Sequence, residues 1–260
     1  MKKSKLKIIK IGGNIIENEG QLNTFLKNFA AIEGLKILVH GGGKSATILA
    51  DKLGIESKII EGRRVTNQST LDVVVMVYAG LINKNIVTKL QTHKCNAIGF
   101  TGADANLILA GKRPAKYIDY GFVGDIVNVN RQTIKQFLEL GIKPVFCGIT
   151  HDNLGQLLNT NADTIASEIA IAMSDFYEVE LNYLFELKGV LQDIKDENSV
   201  ITEINTKIYE ELIDKHIISE GMLPKLQNCF KALEKGVEKV KIGNASLIEA
   251  TDSLHTTLSL

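Results

Sequence analysis

Cysteine is scarce in this chain. The three present, Cys95, Cys147 and Cys229, stand far apart and form no Cys-x-x-Cys pair. A scattered, odd-numbered set argues against a disulfide framework or a zinc knuckle and fits a reducing cytoplasm. An excess of one charge is lacking as well, since thirty Lys and Arg balance thirty Asp and Glu. Zero net charge provides no global pull toward nucleic acid or membrane, so neither is expected as a partner, although a local basic cleft stays open. No run reaches the roughly 18 apolar residues of a membrane span. Met1-Lys2-Lys3-Ser4-Lys5 imitates the start of a signal peptide, but the apolar stretch after it is short and is broken by Lys7 and Lys10. Only three prolines occur, and no Pro- or Ser-rich linker, internal repeat or low-complexity segment divides the chain.

What is there is an alternation of apolar strands and amphipathic helices. With 260 residues, 45% of them hydrophobic, the chain can bury a large core as one domain or two lobes. Strands are expected at 5–11, 35–39, 58–60, 96–100, 143–147, 177–185 and 237–242. Helices are expected at 19–33, 44–53, 68–92, 131–140, 162–173, 205–214 and 224–235. Residues 105–130, divided by Gly111, Pro114, Gly121 and Gly124, read as hairpins over the sheet edge. The pattern is α/β, with a mainly parallel sheet. A lobe boundary is expected at 174–176, which gives lobes of 1–175 and 176–260.

Two glycine clusters follow strands directly: Lys10-Ile11-Gly12-Gly13 and His40-Gly41-Gly42-Gly43. Ligands in open α/β sheets bind beyond the carboxyl ends of strands, and glycine lets backbone N–H groups approach an anion closely. Tight βα turns without a ligand would look the same. Gly43-Lys44-Ser45 imitates the end of a P-loop, but the first glycine would fall on Leu38, inside a strand, and the dinucleotide pattern fails at both clusters. In Gly62-Arg63-Arg64-Val65-Thr66 an arginine can grip a carboxylate through two parallel hydrogen bonds, or simply be solvated. In Asn159-Thr160-Asn161-Ala162-Asp163, Asn161 suits a helix N-cap and Asp163 the helix dipole, while Asn159 and Asp163 are also fit to hold a ligand and lysines. Lys225, in Gly221-Met222-Leu223-Pro224-Lys225, sits near a helix N-terminus against the dipole preference, which points to an anion nearby or to a surface lysine.

Taken together and in this order, Lys-x-Gly-Gly, His-Gly-Gly-Gly, Gly-x-Arg-Val-Thr, Asn-x-Asn-Ala-Asp and Gly-Met-x-x-Lys resemble the N-acetylglutamate kinases of the amino acid kinase superfamily over residues 6–242. The resemblance implies a three-layer αβα sandwich with a central, mainly parallel sheet, and transfer of the γ-phosphoryl group of ATP, bound with Mg²⁺, to the side-chain carboxylate of N-acetyl-L-glutamate in arginine biosynthesis. It implies that Lys10 and Lys225 stabilise the migrating phosphoryl group and that Asp163 orients both. Gly12 and Gly13 would bind phosphate, and Gly42, Gly43, Arg64 and Asn159 the substrate. Nucleotide contacts would come from Glu186, Leu187, Lys188, Gly189, Val190, Leu191, Ile217, Ile218 and Ser219. His40 is expected to be structural.

The sequence departs from the family pattern in the nucleotide segment, where Glu186 stands for an aspartate and Lys188 adds a charge, and at the C-terminus, where Thr256-Thr257 lacks a preceding glycine. It also lacks the extra N-terminal helix of arginine-inhibited members, which implies a homodimer, with helix 71–90 as its seam or as an ordinary core helix. N-succinyl-L-glutamate, or the substrate of a sibling amino acid or carbamate kinase, remains an alternative acceptor. A non-catalytic module on the same fold could have lost both lysines and Asp163, yet all three are present.

Overall fold

A computed structural model describes residues 3–193, 195–214, 222–249 and 253–260. The first strand, β1 (Lys5–Ile11), is held in register by two-residue alternation: Leu6 and Ile8 enter one apolar core, Ile9 and Ile11 the other. Next come α1 (Gly13–Glu17), α2 (Glu19–Ala31), β2 (Leu35–His40), α3 (Gly43–Lys52), β3 (Ile59–Ile60) and β4 (Arg63–Arg64). A long helix follows, with α-helical ends α4 (Gln68–Val75) and α5 (Asn83–Thr92) and a π-helical middle, Met76–Ile82. The chain continues through β5 (Ala97–Phe100), β6 (Ile108–Lys112), β7 (Gly124–Val129), α6 (Arg131–Glu139), β8 (Lys143–Phe146), β9 (Ile149–His151), β10 (Leu157–Asn159) and α7 (Ala162–Ser174). It ends with β11 (Glu178–Leu184), β12 (Glu203–Ile204), α8 (Thr206–Asp214), α9 (Leu223–Glu234), β13 (Lys239–Gly243) and β14 (Thr256–Leu258).

Eight strands form one sheet in the order β12-β14-β13-β11-β1-β2-β8-β5. Every pairing in it is parallel except β13 with β14. One core lies under α6, α7, α8 and α9, the other under α2, α3, α4 and α5, so the sheet is the middle of a three-layer αβα sandwich. The sheet runs without interruption across the boundary expected at 174–176. The β-prone residues of 105–130 do pair as an antiparallel hairpin, β6 with β7, but in a separate four-stranded sheet with β9 and β10.

The helix from Gln68 to Thr92 is the one among the described residues long and apolar enough to cross a membrane by composition, with a mean hydropathy of 1.4. Val73, Val74, Val77, Ile86 and Leu90 are packed in the core, so about half of that apolar window is a core face.

His40, at the end of β2, is fully buried. Its Nδ1 is 2.8 Å from the Gly41 carbonyl, and its Nε2 is 3.0 Å from Asn83 Nδ2, which also donates to the Val145 carbonyl. These partners assign the proton to Nδ1 and leave Nε2 as an acceptor, so the ring is neutral. Burial pushes its pKa down to about 4. The neutral ring is favoured in the fold, so this contribution is complete above the unfolded value near 6.5 and is lost as pH falls toward 4. At about 1.4 kcal/mol per unit, wild type should lose about 3 kcal/mol more than His40→Asn between those limits. Urea midpoints across that range measure the difference, and parallel curves would remove His40 as the cause.

Candidate active site

Lys10 shares the face of Leu6 and Ile8 on β1, so alternation aims an ammonium group at the layer that holds α7. Asn161 caps α7, its side chain accepting the Asp163 N–H at 2.7 Å. Asp163 thus stands in the first turn with its Oδ1 2.7 Å from Lys10 Nζ. The contact is an ion pair without an aligned hydrogen bond to Oδ1. Both side chains are nearly buried, at 10% and 15% exposure, and a pair so desolvated resists salt screening far more than a surface pair does.

Lys225 comes from the first turn of α9, on the other side of the cleft. It and Lys10 line one cleft of about 470 Å³ together with Gly12, Gly13, Gly43, Lys44, Glu186 and Leu187. Both ammonium groups lie over the ring of Phe185, at 4.1 Å for Lys225 and 5.2 Å for Lys10. Burial lowers the pKa of Lys225, the Asp163 charge raises it, and Lys10 lowers it again.

A second cleft, of about 260 Å³, adjoins the first along Lys10, Gly12, Gly13 and Gly43. It is lined further by Gly42, Arg63, Arg64, Tyr78, Asn159 and Asp163. Gly42 must be glycine, because a Cβ there would lie 2.4 Å from Ile82 Cδ1 and 3.0 Å from Tyr78 Cδ1. Both partners belong to the π-helical stretch, whose wide turn brings them against the loop. Arg64 is buried. Its Nη2 donates to the Gly43 carbonyl at 2.9 Å and to Thr47 Oγ1 at 2.7 Å, and its Nη1 to Ser57 Oγ at 2.9 Å. Engaging the Gly43 carbonyl fixes the orientation of that loop. Asn159 Nδ2 donates to Thr66 Oγ1 at 3.1 Å. The geometry provides an anion corridor with two lysines at one end and a guanidinium at the other.

The residues read from the sequence fall into three groups. Lys10, Gly12, Gly13, Gly42, Gly43, Arg64, Asn159, Asp163 and Lys225 come together in the two clefts, as do Glu186 and Leu187. Lys188 instead donates to Asn198 Oδ1 at 3.0 Å, and Gly189, Val190 and Leu191 are buried and line neither cleft. Ile217, Ile218 and Ser219 lie outside the described residues.

Four further side chains reach the site. Tyr78 was read only as part of an apolar helix. Lys44, set aside with the false P-loop, is tied to Asn14 Oδ1 at 2.6 Å and Glu17 at 3.5 Å and lines the larger cleft. The Arg63 guanidinium is half-buried and has no hydrogen bond or ion pair among the described residues; burial, then the charge of Arg113, lowers its pKa. Phe185 passed as one more strand residue. Its signal was its place two residues beyond Tyr183 at the carboxyl end of a strand, where ligands bind.

Residues 5–244 match the amino acid kinase family. A protein of Cytophaga hutchinsonii named acetylglutamate kinase is 56% identical over 97% of this chain and 96% of its own length. One of Phocaeicola vulgatus with the same name is 54% identical over 95% of this chain and 96% of its own length. Among solved structures, carbamate kinase from Giardia lamblia bound to AMP-PNP has the same fold, with a TM-score of 0.72 and 13% identity, covering 100% of this chain and 99% of that one.

Lys225 can neutralise an anion only as the ammonium, so a turnover that uses it should fall as pH rises through its lowered pKa. Asp163→Asn removes the charge that raises that pKa. The basic limb of the kcat–pH profile should therefore move to lower pH in the variant; an unmoved limb would show that Asp163 does not tune Lys225.

Proposed function

The chain belongs to the acetylglutamate kinase branch of the amino acid kinase family, and on that premise we propose that it transfers the γ-phosphoryl group of ATP to the side-chain carboxylate of N-acetyl-L-glutamate. The observation that carries this reading is the convergence of Lys10 and Lys225 on one cleft, with Asp163 beside Lys10. The acceptor is already ionised at neutral pH, so the reaction needs no strong base. One carboxylate oxygen forms a bond to the γ-phosphorus as the bond from that phosphorus to the β,γ-bridging oxygen breaks, and the electron pair leaves with ADP. What the protein supplies is position and charge neutralisation. Lys10 and Lys225 face the equatorial oxygens, and the N–H groups of Gly12, Gly13, Gly42 and Gly43 sit where charge builds. Arg64 holds the α-carboxylate, with Asn159 beside it.

ATP occupies the larger cleft, next to Glu186 and Leu187, with residues 176–260 as the nucleotide lobe and 1–175 as the acylglutamate lobe. Mg²⁺ would enter with the nucleotide, held on its phosphate oxygens. The setting is the cytoplasm, where the free, buried Cys95, Cys147 and Cys229 stay reduced.

A second acceptor, N-succinyl-L-glutamate, rests on one observation, the Arg63 guanidinium in the substrate cleft, which has no hydrogen bond or ion pair among the described residues and suits an added carboxylate. The shared name of the relatives favours acetyl. The ratio of kcat/KM for the two compounds decides between them.

With ATP, the protein should form hydroxylamine-trappable acyl phosphate from an N-acylglutamate, and not phosphorylate free glutamate, carbamate or UMP. Lys10→Ala should lower kcat by about 10²–10³ while the protein stays folded. Arg64→Lys should act mainly on KM for the acylglutamate, because a point charge cannot replace the fork. Near-normal turnover in Lys10→Ala would end the assignment.

The protein acts as a homodimer. Met76 and Leu81 leave large apolar surface on the long helix, 52% and 58% exposed. Light scattering should give twice the chain mass for wild type and the chain mass for the double variant Met76→Glu, Leu81→Glu. A monomeric wild type would remove this seam.

A further inference from the structure

Two like charges meeting in one cleft need something that holds each in place before the nucleotide arrives. Asp163 does this for Lys10, at 2.7 Å. Lys225 has no hydrogen bond or ion pair among the described residues, and Asp163 reaches it only by longer-range attraction. What its ammonium meets at short range is an aromatic face, the Phe185 ring centroid 4.1 Å away. Lys10 lies over the same ring at 5.2 Å.

The ring is itself held. In the parallel register of β1 and β11, Lys10 stands opposite Tyr183, and Phe185 lies two residues further along the chain. The two rings are stacked, 6.2 Å between centroids and 13° between planes. The Tyr183 hydroxyl donates to the Asp163 carbonyl at 3.0 Å, so the stack is anchored to the turn that carries the carboxylate. Phe185 is half-buried and lines the larger cleft beside Lys225. An aromatic face is electrostatically negative and attracts ammonium without forming a salt bridge that would have to break.

We propose that Phe185 is a positioning residue for phosphoryl transfer. Its ring face holds the Lys225 ammonium beside Lys10 in the absence of nucleotide and yields it to a phosphate oxygen when ATP enters. This rests on the reading of the chain as an acylglutamate kinase. A carboxylate in that position would hold Lys225 more tightly and add an anion where the phosphate must go. An aliphatic side chain would fill the space and hold nothing.

The test is a series at one position. Phe185→Leu keeps apolar bulk without the π face; Phe185→Tyr keeps the face. Replacement by 3,4,5-trifluorophenylalanine keeps the shape and weakens the quadrupole, and it serves if the leucine variant fails to fold. The leucine variant should lose about tenfold in kcat while KM for the acylglutamate stays within about twofold, and its basic pH limb should move down. The tyrosine variant should stay within about threefold of wild type, and the fluorinated protein should fall between them. Independently of turnover, carbon-13 labelling of lysine should show the Lys225 ε-methylene shifted upfield by the ring in nucleotide-free protein, and the shift should vanish in the leucine variant. Equal losses in the leucine and tyrosine variants, or a Lys225 resonance that does not respond to the ring, would overturn the proposal. A wild-type protein that forms no acyl phosphate would instead overturn the functional reading and leave the resonance to judge the ring.

Discussion

The site depends on one ion pair, Lys10 with Asp163, made in a place where neither charge would be stable alone. Lys10 is the cationic interruption of a strand whose other inward residues are Leu and Ile, all fully buried. Its ammonium reaches an anion only because α7 begins at Asn161 and turns Asp163 toward β1. Removing one member of such a pair strands the other, at a cost of about 3–5 kcal/mol. The strand, the cap and the helix start are therefore coupled: a shift of one residue in β1 would send Lys10 to the opposite face, under α2 and α3, where no carboxylate of α7 can follow.

From that pair the rest of the cleft follows by packing. In the proposed reaction Lys10 meets a phosphoryl oxygen, and the loops after β1 and β2 bring their glycines to the same cleft. The second loop does so because Gly42 leaves no side chain in the way of Ile82 and Tyr78, and because Arg64 holds the Gly43 carbonyl from behind. Arg64 thereby has two tasks, shaping the loop and facing the cleft. His40 and Asn83 lock the strand end beneath that loop without titrating in the working range.

The sequence made the sandwich legible because its strands are short apolar runs between glycines and its helices carry clear apolar stripes. Of the site, it made legible the residues whose chemistry conflicts with their surroundings: a lysine in a strand, glycines in a row, a lysine at a helix N-terminus. What it hid were residues that look ordinary for their element. Phe185 reads only as the end of a strand and Tyr78 as one residue of an apolar helix, and Arg63 as one of a solvated pair. The strands β9 and β10 hold three residues each, too few for a period to show. The π-helical turn keeps the apolar stripe of an α-helix, so it has no signature of its own. Gly189, Val190 and Leu191 are expected at the nucleotide only through the family resemblance, but apolar residues after a strand serve equally well to bury the loop, and here they are buried and line neither cleft.

The two departures from the family pattern turn out to be one structural device. Thr256, in the terminal segment without its expected glycine, is fully buried, and its hydroxyl accepts the Val190 N–H at 2.8 Å while donating to the Ile201 carbonyl at 2.7 Å. Gly189 is required beside it, since a Cβ there would lie 2.6 Å from that hydroxyl. The C-terminal strand therefore pins the loop that leaves β11 and carries Lys188 away to Asn198, out of the cleft. With Lys188 withdrawn, the larger cleft is lined by Lys10, Lys44, Lys225 and Glu186, while Asp163 pairs with Lys10 and Glu17 with Lys44. Those carboxylates offset part of the repulsion among the three ammonium groups. In the proposed reaction a further fixed cation near Glu186 would strengthen nucleotide binding in the ground state, whereas charge concentrated at Lys10 and Lys225 would act where the phosphoryl group is in transit.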